Sequence, residues 1–316
     1  MSRKSALILG VTGQDGSLLA KFLLEKGYTV IGQTRSVESP RLVNLDRLGV
    51  KQDIEIRSAD LIDQKSVTQL IGSVGSDEIY NLSGQSSVGS SFVRPAETFK
   101  SHSLAVLNVL EAIRKSELHT KFFNAGSGEC FGETKESGAV EESPFSPLNP
   151  YAVSKVTATM LIANYRKVYG LHGCTGFLFN HESCLRSEAF VTQKIVRGAA
   201  RIAGGDLEKL RLGNLDIRRD WGRASEYVDA MWRILQQETP EDFIISTGRS
   251  SSLQEFVSLA FRRFGLNWQD HVVVDPSLFR ASEIARNIGD PSKASKKLGW
   301  RAMSSLPDIV DHLIQG

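Results

Sequence analysis

The chain has 316 residues, of which 41% are hydrophobic and 23% charged, and its formal net charge is +2. This composition is typical of a globular protein of one large domain or two packed ones, and the small charge argues against nucleic-acid binding. The three cysteines form no CxxC pair, so they indicate neither a disulfide framework nor a metal site. No apolar run is long enough for a signal segment or a membrane span, so we expect a cytoplasmic protein without a membrane partner.

Short apolar runs alternate with helical patterns along the first 180 residues. The first run, Ala6–Leu9, ends at a glycine, and a helix closing at Gly27 separates it from a second run, Tyr28–Ile31. Four more runs predict strands (Ile54–Ile56, Ile79–Leu82, Lys121–Phe123 and Gly176–Phe179), and two longer segments predict helices (Leu104–Ile113 and Tyr151–Tyr169). The alternation predicts an α/β fold with a Rossmann-type, doubly wound parallel sheet.

Beyond Asn180 this alternation stops, and shorter segments rich in Arg, Asp and Gly follow. We interpret them as a smaller, discontinuous substrate-binding lobe, because residues 227–237 and 243–247 predict a helix and a strand that return to the main sheet. The predicted dinucleotide-binding domain is residues 1–180 plus about 223–249, and the lobe is about 181–222 plus 250–316.

The turn between the first strand and the first helix is rich in glycine, with the sequence GVTGQDG over residues 10–16. Glycines let the backbone approach a pyrophosphate at a helix N-terminus. The spacing is GxxGxxG rather than GxGxxG, and a tight turn without a ligand could use the same residues. Because the turn follows the first strand, we expect these residues to bind a dinucleotide: Gly10, Thr12, Gly13, Gln14, Asp15 and Gly16.

The end of the second strand predicts which dinucleotide is bound. NAD would favour a carboxylate at this point to bind the ribose hydroxyls, but the sequence reads Gln33-Thr34-Arg35-Ser36. Arg35 and Ser36 suit a 2′-phosphate, which favours NADP over NAD, although a solvated loop arginine is the alternative. Residues after the third and fourth strands are expected near the adenine and along the path to the nicotinamide: Asp60, Leu61, Leu82, Gly84 and Gln85.

A tyrosine and a lysine one helical turn apart predict hydride chemistry. Asn149 is expected to cap a helix with Pro150 at its first position, which sets Tyr151 and Lys155 on one face. A free phenol has a pKa of about 10. A lysine cation and a positive nicotinamide beside it would lower that pKa, so that Tyr151 could take a proton from a sugar hydroxyl. The alternative is a pair on a helix surface.

Two further polar side chains follow the fifth strand. Ser127 is expected at the carboxyl end of that strand, where it could hydrogen-bond the same substrate oxygen as Tyr151. Glu129 would supply a second acid/base group, which a plain dehydrogenase or 4-epimerase does not need, although it could instead be a surface carboxylate. Cys130 is expected to pack as a small apolar residue.

With these features in hand, the sequence resembles the extended short-chain dehydrogenase/reductase family and, within it, the GDP-mannose 4,6-dehydratases. The resemblance covers nearly the whole chain, and its later motifs are the narrower ones. The motifs are Gly10–Gly16 (GVTGQDG), Asp77–Leu82 (DEIYNL), Gln85–Phe92 (QSSVGSSF), Pro150–Lys155 (PYAVSK), Phe179–Ser183 (FNHES), Phe190–Ile195 (FVTQKI), Leu212–Leu215 (LGNL), Arg219–Gly222 (RDWG) and Gly289–Lys293 (GDPSK).

This resemblance implies a reaction on GDP-mannose without net redox change. Tyr151 would remove the C4 hydroxyl proton as hydride passes to NADP+, and Glu129 would abstract the C5 proton while water leaves from C6. Hydride would then return to C6 and give GDP-4-keto-6-deoxymannose. The resemblance also implies Lys155 beside Tyr151, and His181 and Arg186 at the cofactor. Its implied substrate residues are Ser86, Ser127, Glu129, Asn180, Lys194, Leu212, Gly213, Asn214, Arg219, Arg280 and Glu283.

The sequence departs from the family pattern at three places. Ser127-Gly128 stands where a threonine and a serine are usual and resembles the related GDP-4-keto-6-deoxymannose reductases, while Cys130-Phe131 replaces Leu-Tyr. The loop over residues 37–48 is shorter than the arginine-rich loop that in many relatives reaches across a tetramer. We therefore expect a homodimer or a homotetramer, with dimer contacts through the helices at 104–113 and 151–169.

Three alternative functions stay open at this point. One is a GDP-sugar 4-keto reductase or epimerase, and another is a dehydratase of a related GDP-sugar such as a GDP-heptose. The third is a non-catalytic dinucleotide sensor, which would need neither Ser127 nor the Tyr151–Lys155 pair.

Overall fold

The computed structural model describes residues 3–36 and 42–315. Its strands are β1 (Ser5–Leu9), β2 (Thr29–Thr34), β3 (Glu55–Ser58), β4 (Glu78–Asn81), β5 (Lys121–Ala125), β6 (Gly173–Leu178), β7 (Asn180–Glu182), β8 (Leu210–Leu212), β9 (Arg218–Arg219), β10 (Trp221–Arg223), β11 (Phe243–Ile245), β12 (Ser251–Ser252), β13 (Val272–Val274) and β14 (Arg286–Asn287).

The α-helices are α1 (Gln14–Glu25), α2 (Val43–Arg47), α3 (Gln64–Val74), α4 (Val88–Val93), α5 (Pro95–Phe99), α6 (Ala105–Ser116), α7 (Pro150–Tyr169), α8 (Val191–Ala203), α9 (Ala224–Gln236), α10 (Leu253–Arg263), α11 (Ser292–Leu298) and α12 (Leu306–Gln315). A π-helical turn, Lys100–Leu104, joins α5 to α6, and a 3₁₀ turn, Gly128–Phe131, follows β5. The remaining 3₁₀ turns are Lys51–Asp53, Trp268–Asp270 and Pro276–Leu278.

Seven parallel strands form the main sheet, in the order β11-β6-β5-β4-β1-β2-β3. The chain winds outward from β1 through β2 and β3, then crosses back to β4 and continues the other way. The predicted doubly wound Rossmann-type fold is confirmed, including the return of β11 to the sheet. Ligands of such sheets bind where the winding reverses, which here lies between the carboxyl ends of β1 and β4.

Each face of the main sheet carries its own apolar core. On one face, α1 and α9 bury side chains such as Leu19 and Ile234 against the strands. On the other face, α3, α6 and α7 do the same with Leu70, Leu110 and Ile162. Burial on both faces explains why the first strand reads as an unbroken apolar run rather than an alternating one.

A third apolar core lies apart from the main sheet. It joins α8, α10 and α12 through Val196, Phe256 and Val310, beside the small sheet of β8 and β13. A three-stranded sheet, β12-β9-β14, lies in the same part of the sequence. These elements belong to the segments assigned to the smaller lobe, and the exact domain limits stay a prediction.

Some predicted limits are wrong. The sixth strand runs over Gly173–Leu178 rather than Gly176–Phe179, and its pairing with β5 begins at Gly173. Its start was hidden because glycines interrupt the apolar run, whereas Gly176 is needed for packing: a Cβ there would meet the Phe123 ring at 2.8 Å. Part of the predicted loop over residues 37–48 forms α2, and residues 37–41 lie outside the described residues.

Within the described ranges, no helix has both the length and the apolar character needed to cross a bilayer. The same residues contain no cluster of three or more His, Cys, Asp or Glu side chains suited to a metal ion.

Candidate active site

One crevice at the carboxyl ends of the central strands brings together most of the predicted site residues. Its floor comes from the ends of β4, β5 and β6, and its far wall from the smaller lobe. The predicted residues that line it are Asp15, Leu82, Gly84, Ser86, Ser127, Glu129, Tyr151, Lys155, Asn180, His181, Arg186, Lys194, Leu212, Gly213, Asn214, Arg219, Arg280 and Glu283.

The other predicted residues lie outside the lining of this crevice. They are Gly10, Thr12, Gly13, Gln14 and Gly16 in the glycine-rich turn, Arg35 and Ser36 after β2, Asp60 and Leu61 after β3, and Gln85. The Gln85 side chain bonds to other protein groups: it donates to Thr98 Oγ1 on α5 and accepts from the Ser87 amide. That bonding braces the loop rather than presenting the amide to a ligand.

The glycine-rich turn has the geometry that a dinucleotide needs. Gly10 has a φ of +83°, and a Cβ there would meet Ser83 Cα at 2.8 Å, while a Cβ on Gly16 would collide with the Gly10 carbonyl. At Gly13, which precedes α1, a Cβ would find only one atom within 4 Å, at 3.5 Å. No side chain caps this helix start, whose first amides lack helical partners. The turn therefore fits a pyrophosphate at the N-terminus of α1.

Tyr151 and Lys155 occupy the first turns of α7, as predicted. Asn149 Oδ1 accepts a hydrogen bond of 2.8 Å from the Ala152 amide and caps the helix. Both side chains are buried, with 9% of Tyr151 and 6% of Lys155 exposed. The Lys155 ammonium donates to the carbonyl oxygen of Ala125 at 2.7 Å and lies 5.6 Å from the centroid of the Tyr151 ring. The lysine is thus fixed to the end of β5.

The surrounding protein works against the predicted lowering of the phenol pKa, which rests on the lysine cation and a bound nicotinamide together and stays a prediction. Burial raises the pKa of Tyr151 well above its ordinary value, and a hydrogen bond with the Ser127 hydroxyl opposes this only in part. Burial also lowers the pKa of Lys155 to about 8. Desolvation therefore outweighs the groups that favour the phenolate, Ser127 and Arg186, because the Tyr151 side chain is largely buried.

Ser127 and Glu129 follow directly from β5 and reach the same crevice. Ser127 caps the 3₁₀ turn Gly128–Phe131, since its hydroxyl oxygen accepts from the Glu129 amide at 3.2 Å. One carboxylate oxygen of Glu129, Oε2, accepts a hydrogen bond of 2.9 Å from Asn149 Nδ2. Glu129 is therefore anchored at the crevice rather than solvated at the surface.

At the end of the crevice beside the glycine-rich turn, ionisable side chains pair with one another. His181 Nε2 lies 2.9 Å from Asp15 Oδ2, and Arg186 Nε lies 3.1 Å from Glu182 Oε2. Burial works to raise the pKa of Asp15, but His181 and Arg186 outweigh it and hold that pKa well below its usual range. The positive charge of Arg186 is compensated by the carboxylate of Glu182, with which it forms an ion pair.

At the lobe end, the cations are less compensated. Arg219 donates to the carbonyl of Ile284 at 2.8 Å, and its guanidinium is 3.9 Å from Glu283 Oε1. Lys194 donates to the Arg211 carbonyl, and Arg280 is exposed. An anionic ligand would therefore be attracted to this end of the crevice.

Comparison with known proteins identifies the family. The family model described as GDP-mannose 4,6 dehydratase matches residues 7–313. The chain belongs to the GDP-mannose 4,6-dehydratase family. It is 42% identical over 322 residues to GDP-mannose 4,6 dehydratase 1 of Arabidopsis thaliana, covering 99% of this chain and 89% of that protein. It is 40% identical over 348 residues to the GDP-mannose 4,6-dehydratase of Vibrio cholerae serotype O1, covering 99% and 93%. The predicted family and dehydratase function are confirmed.

Solved structures agree in fold. The dTDP-glucose 4,6-dehydratase of Bacillus anthracis, in complex with NAD, matches with a TM-score of 0.84 at 19% identity, covering 99% of this chain and 96% of that one. RMD from Pseudomonas aeruginosa, complexed with NADPH, matches with a TM-score of 0.81 at 22% identity, covering 99% and 97%. At these identities the likeness concerns the fold, which in both proteins holds a nicotinamide dinucleotide.

Within this dehydratase family, Gly128 is a departure that packing explains. A Cβ at position 128 would meet Phe179 Cδ1 at 2.8 Å and Asn287 Oδ1 at 2.9 Å. Asn287 Nδ2 in turn donates to the carbonyls of Gly128 and Gly132. The neighbouring Cys130 is fully buried among phenylalanines, and burial raises the pKa of its thiol to about 12. Cys130 is a packing residue, as predicted.

The sequence analysis missed several residues of this dehydratase-family crevice. Ser87, His102, Thr192, Trp221 and Asn287 also line it. The titratable residue among these five is His102, which is buried. Its ring meets that of Tyr151 edge-on, with the ring centroids 5.3 Å apart.

His102 was missed because it precedes the predicted helix and lies in the π-helical turn before α6. Such turns are frequent at functional sites, but no apolar pattern marks them. Burial, helped by Lys155, lowers the pKa of His102 well below its usual value. The neutral ring therefore carries its proton on Nε2, which faces the Gln85 carbonyl at 2.8 Å.

Proposed function

We propose that this chain performs the 4,6-dehydration of GDP-mannose with Ser127, Glu129, Tyr151 and Lys155 as catalytic residues and NADP as cofactor. The observation that carries the assignment is the presence of two different proton-transfer groups, a phenol and a carboxylate, in one crevice. Oxidation at C4 requires one base, and elimination across C5 and C6 requires a second. A plain dehydrogenase or a 4-epimerase does not need the second.

The roles follow from the contacts. The glycine-rich turn over residues 10–16 and Arg35 would hold the nicotinamide dinucleotide, which would supply reversible hydride transfer and, in its oxidised form, a positive charge that favours the phenolate. Tyr151 takes the proton of the C4 hydroxyl, with the Ser127 hydroxyl bonded to the same oxygen. Lys155, held by the Ala125 carbonyl, keeps a positive charge beside the phenol. Glu129 takes the C5 proton and passes it to the C6 hydroxyl, which leaves as water. When hydride is added back at C6, C5 takes up a proton from solvent, and the proton that Tyr151 took from the C4 hydroxyl is released to solvent.

The lobe end of the crevice suits the GDP group. Lys194, Arg219 and Arg280 offer cationic donors to a diphosphate, and Arg219 is already oriented by the Ile284 carbonyl. Segment Leu212–Asn214 lines the same wall. We assign the pyrophosphate and ribose to these residues and the hexose to the Ser86, Ser127 and Glu129 side.

The reaction is tested by incubating purified protein with GDP-mannose and NADP+ in deuterated water. We expect a GDP-sugar lighter by one water, no net accumulation of reduced cofactor, and solvent deuterium at C5. In a parallel incubation with GDP-4-keto-6-deoxymannose and NADPH, net consumption of NADPH would instead indicate a reductase, whereas a C4 epimer of GDP-mannose with unchanged mass would indicate an epimerase. Turnover confined to another GDP-sugar, such as a GDP-heptose, would change the assigned substrate but not the assigned catalytic residues. Absence of any turnover would favour the third alternative, a non-catalytic dinucleotide sensor.

The choice of NADP rests on Arg35. It is exposed directly after β2, and Gln33, which replaces a ribose-binding carboxylate, is used to brace the turn through Gly10 and Ala59. We expect Arg35→Ala to weaken NADP binding about 10- to 100-fold, since hydrogen bonds to charged groups contribute about 1.5–3 kcal/mol, and to leave NAD binding unchanged. Calorimetric titration of both cofactors measures this, with Arg57→Ala on β3 as the control. Equal losses for NAD and NADP would contradict the assignment.

We also propose a cytoplasmic homodimer formed through α6 and α7. Val153 and Met160, seven residues apart on α7, are 44% and 62% exposed. Apolar side chains aligned on one helix face favour a contact with another chain. We expect Met160→Glu to shift the protein to a monomer in sedimentation velocity. Met303→Glu, at an exposed site after α11, is the control, and a Met160→Glu protein that sediments as wild type would place the interface elsewhere.

A further inference from the structure

The side chain of Asn149 joins the two halves of the proposed catalytic site. Its oxygen accepts from the Ala152 amide at 2.8 Å and caps α7, the helix that carries Tyr151. Its nitrogen donates to Glu129 Oε2 at 2.9 Å. Only 5% of Asn149 is exposed, so water competes little for either bond.

The orientation of this amide is determined by its partners. A backbone N–H can only donate, so the oxygen of Asn149 must face Ala152 and the nitrogen must face the carboxylate. Glu129 is then held twice, by its own amide on Ser127 Oγ and by Oε2 on Asn149. Its other oxygen, Oε1, accepts no hydrogen bond from any residue in the described ranges, and it is the one left for the substrate.

We propose that Asn149 is a positioning residue for the dehydration step, which aims Glu129 at C5 through the hydrogen bond from its amide N–H to Oε2. The proposal rests on the proposed function, in which Glu129 takes the C5 proton. Hydrogen bonding to a carboxylate stabilises the charged form that acts as a base. An amide cannot itself take up the proton, so the proton on Glu129 remains available for the departing hydroxyl.

Other groups also act on this carboxylate. Arg219 from β9 is attracted to Glu129, whereas the Tyr151 phenol on α7 and the Cys130 thiol on its own turn interact with it unfavourably when ionised. Burial keeps those two groups neutral by raising their pKa values. Asn149 is thus the group that orients the carboxylate through a direct hydrogen bond.

Two substitutions separate orientation from helix capping. Asn149→Ser keeps an oxygen for the cap, but its side chain is shorter and withdraws the donor from Glu129 Oε2. Asn149→Asp keeps the size and the cap but sets a second carboxylate against Glu129. Asn149→Ser should unfold at the wild-type temperature, whereas Asn149→Asp should unfold at a lower temperature at neutral pH because the two carboxylates repel each other. Asp63→Ser changes the N-cap of α3, away from the crevice, and serves as the control.

Single-turnover measurements with GDP-mannose follow the reduced cofactor and the dehydrated product separately. We expect Asn149→Ser to slow elimination about 10- to 100-fold, so that reduced cofactor accumulates, with C4 oxidation changed less than about threefold. In Asn149→Asp, the acidic limb of the pH–rate profile for elimination should move to higher pH. Adding Asn149→Ser to Glu129→Gln should cause no further loss.

Elimination at the wild-type rate in Asn149→Ser, or an equal slowing of oxidation and elimination in both variants, would overturn this role. Wild-type protein that forms no dehydrated product would overturn the proposed function instead, and the role of Asn149 with it. The two failures are therefore distinguished by the wild-type turnover.

Discussion

Glu129→Gln is expected to abolish the elimination of water while C4 oxidation continues. The amide has nearly the same size and can keep a contact with Asn149, whose bond to Oε2 is 2.9 Å, but it cannot accept the C5 proton. General-base catalysis contributes about 10²- to 10⁴-fold, so product formation should fall by that factor. Reduced cofactor should form in a single turnover and persist.

The measurement is a single turnover with GDP-mannose, in which cofactor reduction is followed optically and product by mass. Glu136→Gln is the matched control. Glu136 lies seven residues after Glu129, its side chain is 86% exposed, and its Oε1 is 3.4 Å from Arg286 Nη2. A Glu129→Gln protein that makes the 4-keto-6-deoxy product at the wild-type rate would remove Glu129 from the mechanism.

Tyr151→Phe is expected to stop the reaction one step earlier. Phenylalanine keeps the ring packed edge-on against His102 and loses only the hydroxyl, so the fold should be preserved. Without a group to take the C4 proton, both cofactor reduction and product formation should fall about 10²- to 10⁴-fold. Cofactor reduction at the wild-type rate would contradict the role of the phenol, and it would also distinguish this variant from Glu129→Gln.

Tyr151 and Lys155 together predict that the rate of C4 oxidation depends on pH. Because burial lowers the pKa of Lys155 to about 8, its cation is present below that pH and is lost as the pH rises through it. The positive charge that favours the phenolate is lost with it, so we expect C4 oxidation in the wild type to decline above about pH 8. Lys155→Met, which has no ionisable group at this position, should be slow throughout and show no such decline. A wild-type rate that keeps rising to pH 10 would contradict this reasoning.

Local patterns were sufficient to predict the sheet, the helix with Tyr151 and Lys155, and the cap at Asn149. Each depends on residues close in sequence: an apolar run for β1, an N-cap followed by proline for α7, and i,i+4 spacing for the catalytic pair. The start of β6 was misjudged because its glycines carry no apolar signal, although Gly176 is required under the Phe123 ring.

The charge environment could not be predicted in the same way. Burial raises the pKa of Tyr151, which opposes the effect expected from the lysine cation and a bound nicotinamide, since desolvation depends on everything that surrounds the ring. His102 was missed for a related reason: its approach to Tyr151 comes from the packing of a π-helical turn against α7.

By itself, then, the sequence determined the fold class, the family and the chemical types of the catalytic side chains, because these follow from periodicity, spacing and motif. Only the tertiary structure decided how those side chains are held. The bond from Asn149 to Glu129 spans 20 residues, the contact of Gly128 with Asn287 spans 159, and the pairing of Asp15 with His181 spans 166. Contacts of that range arise when the loops after separate parallel strands meet at one edge of the sheet. Patterns among residues close in sequence therefore do not predict these contacts.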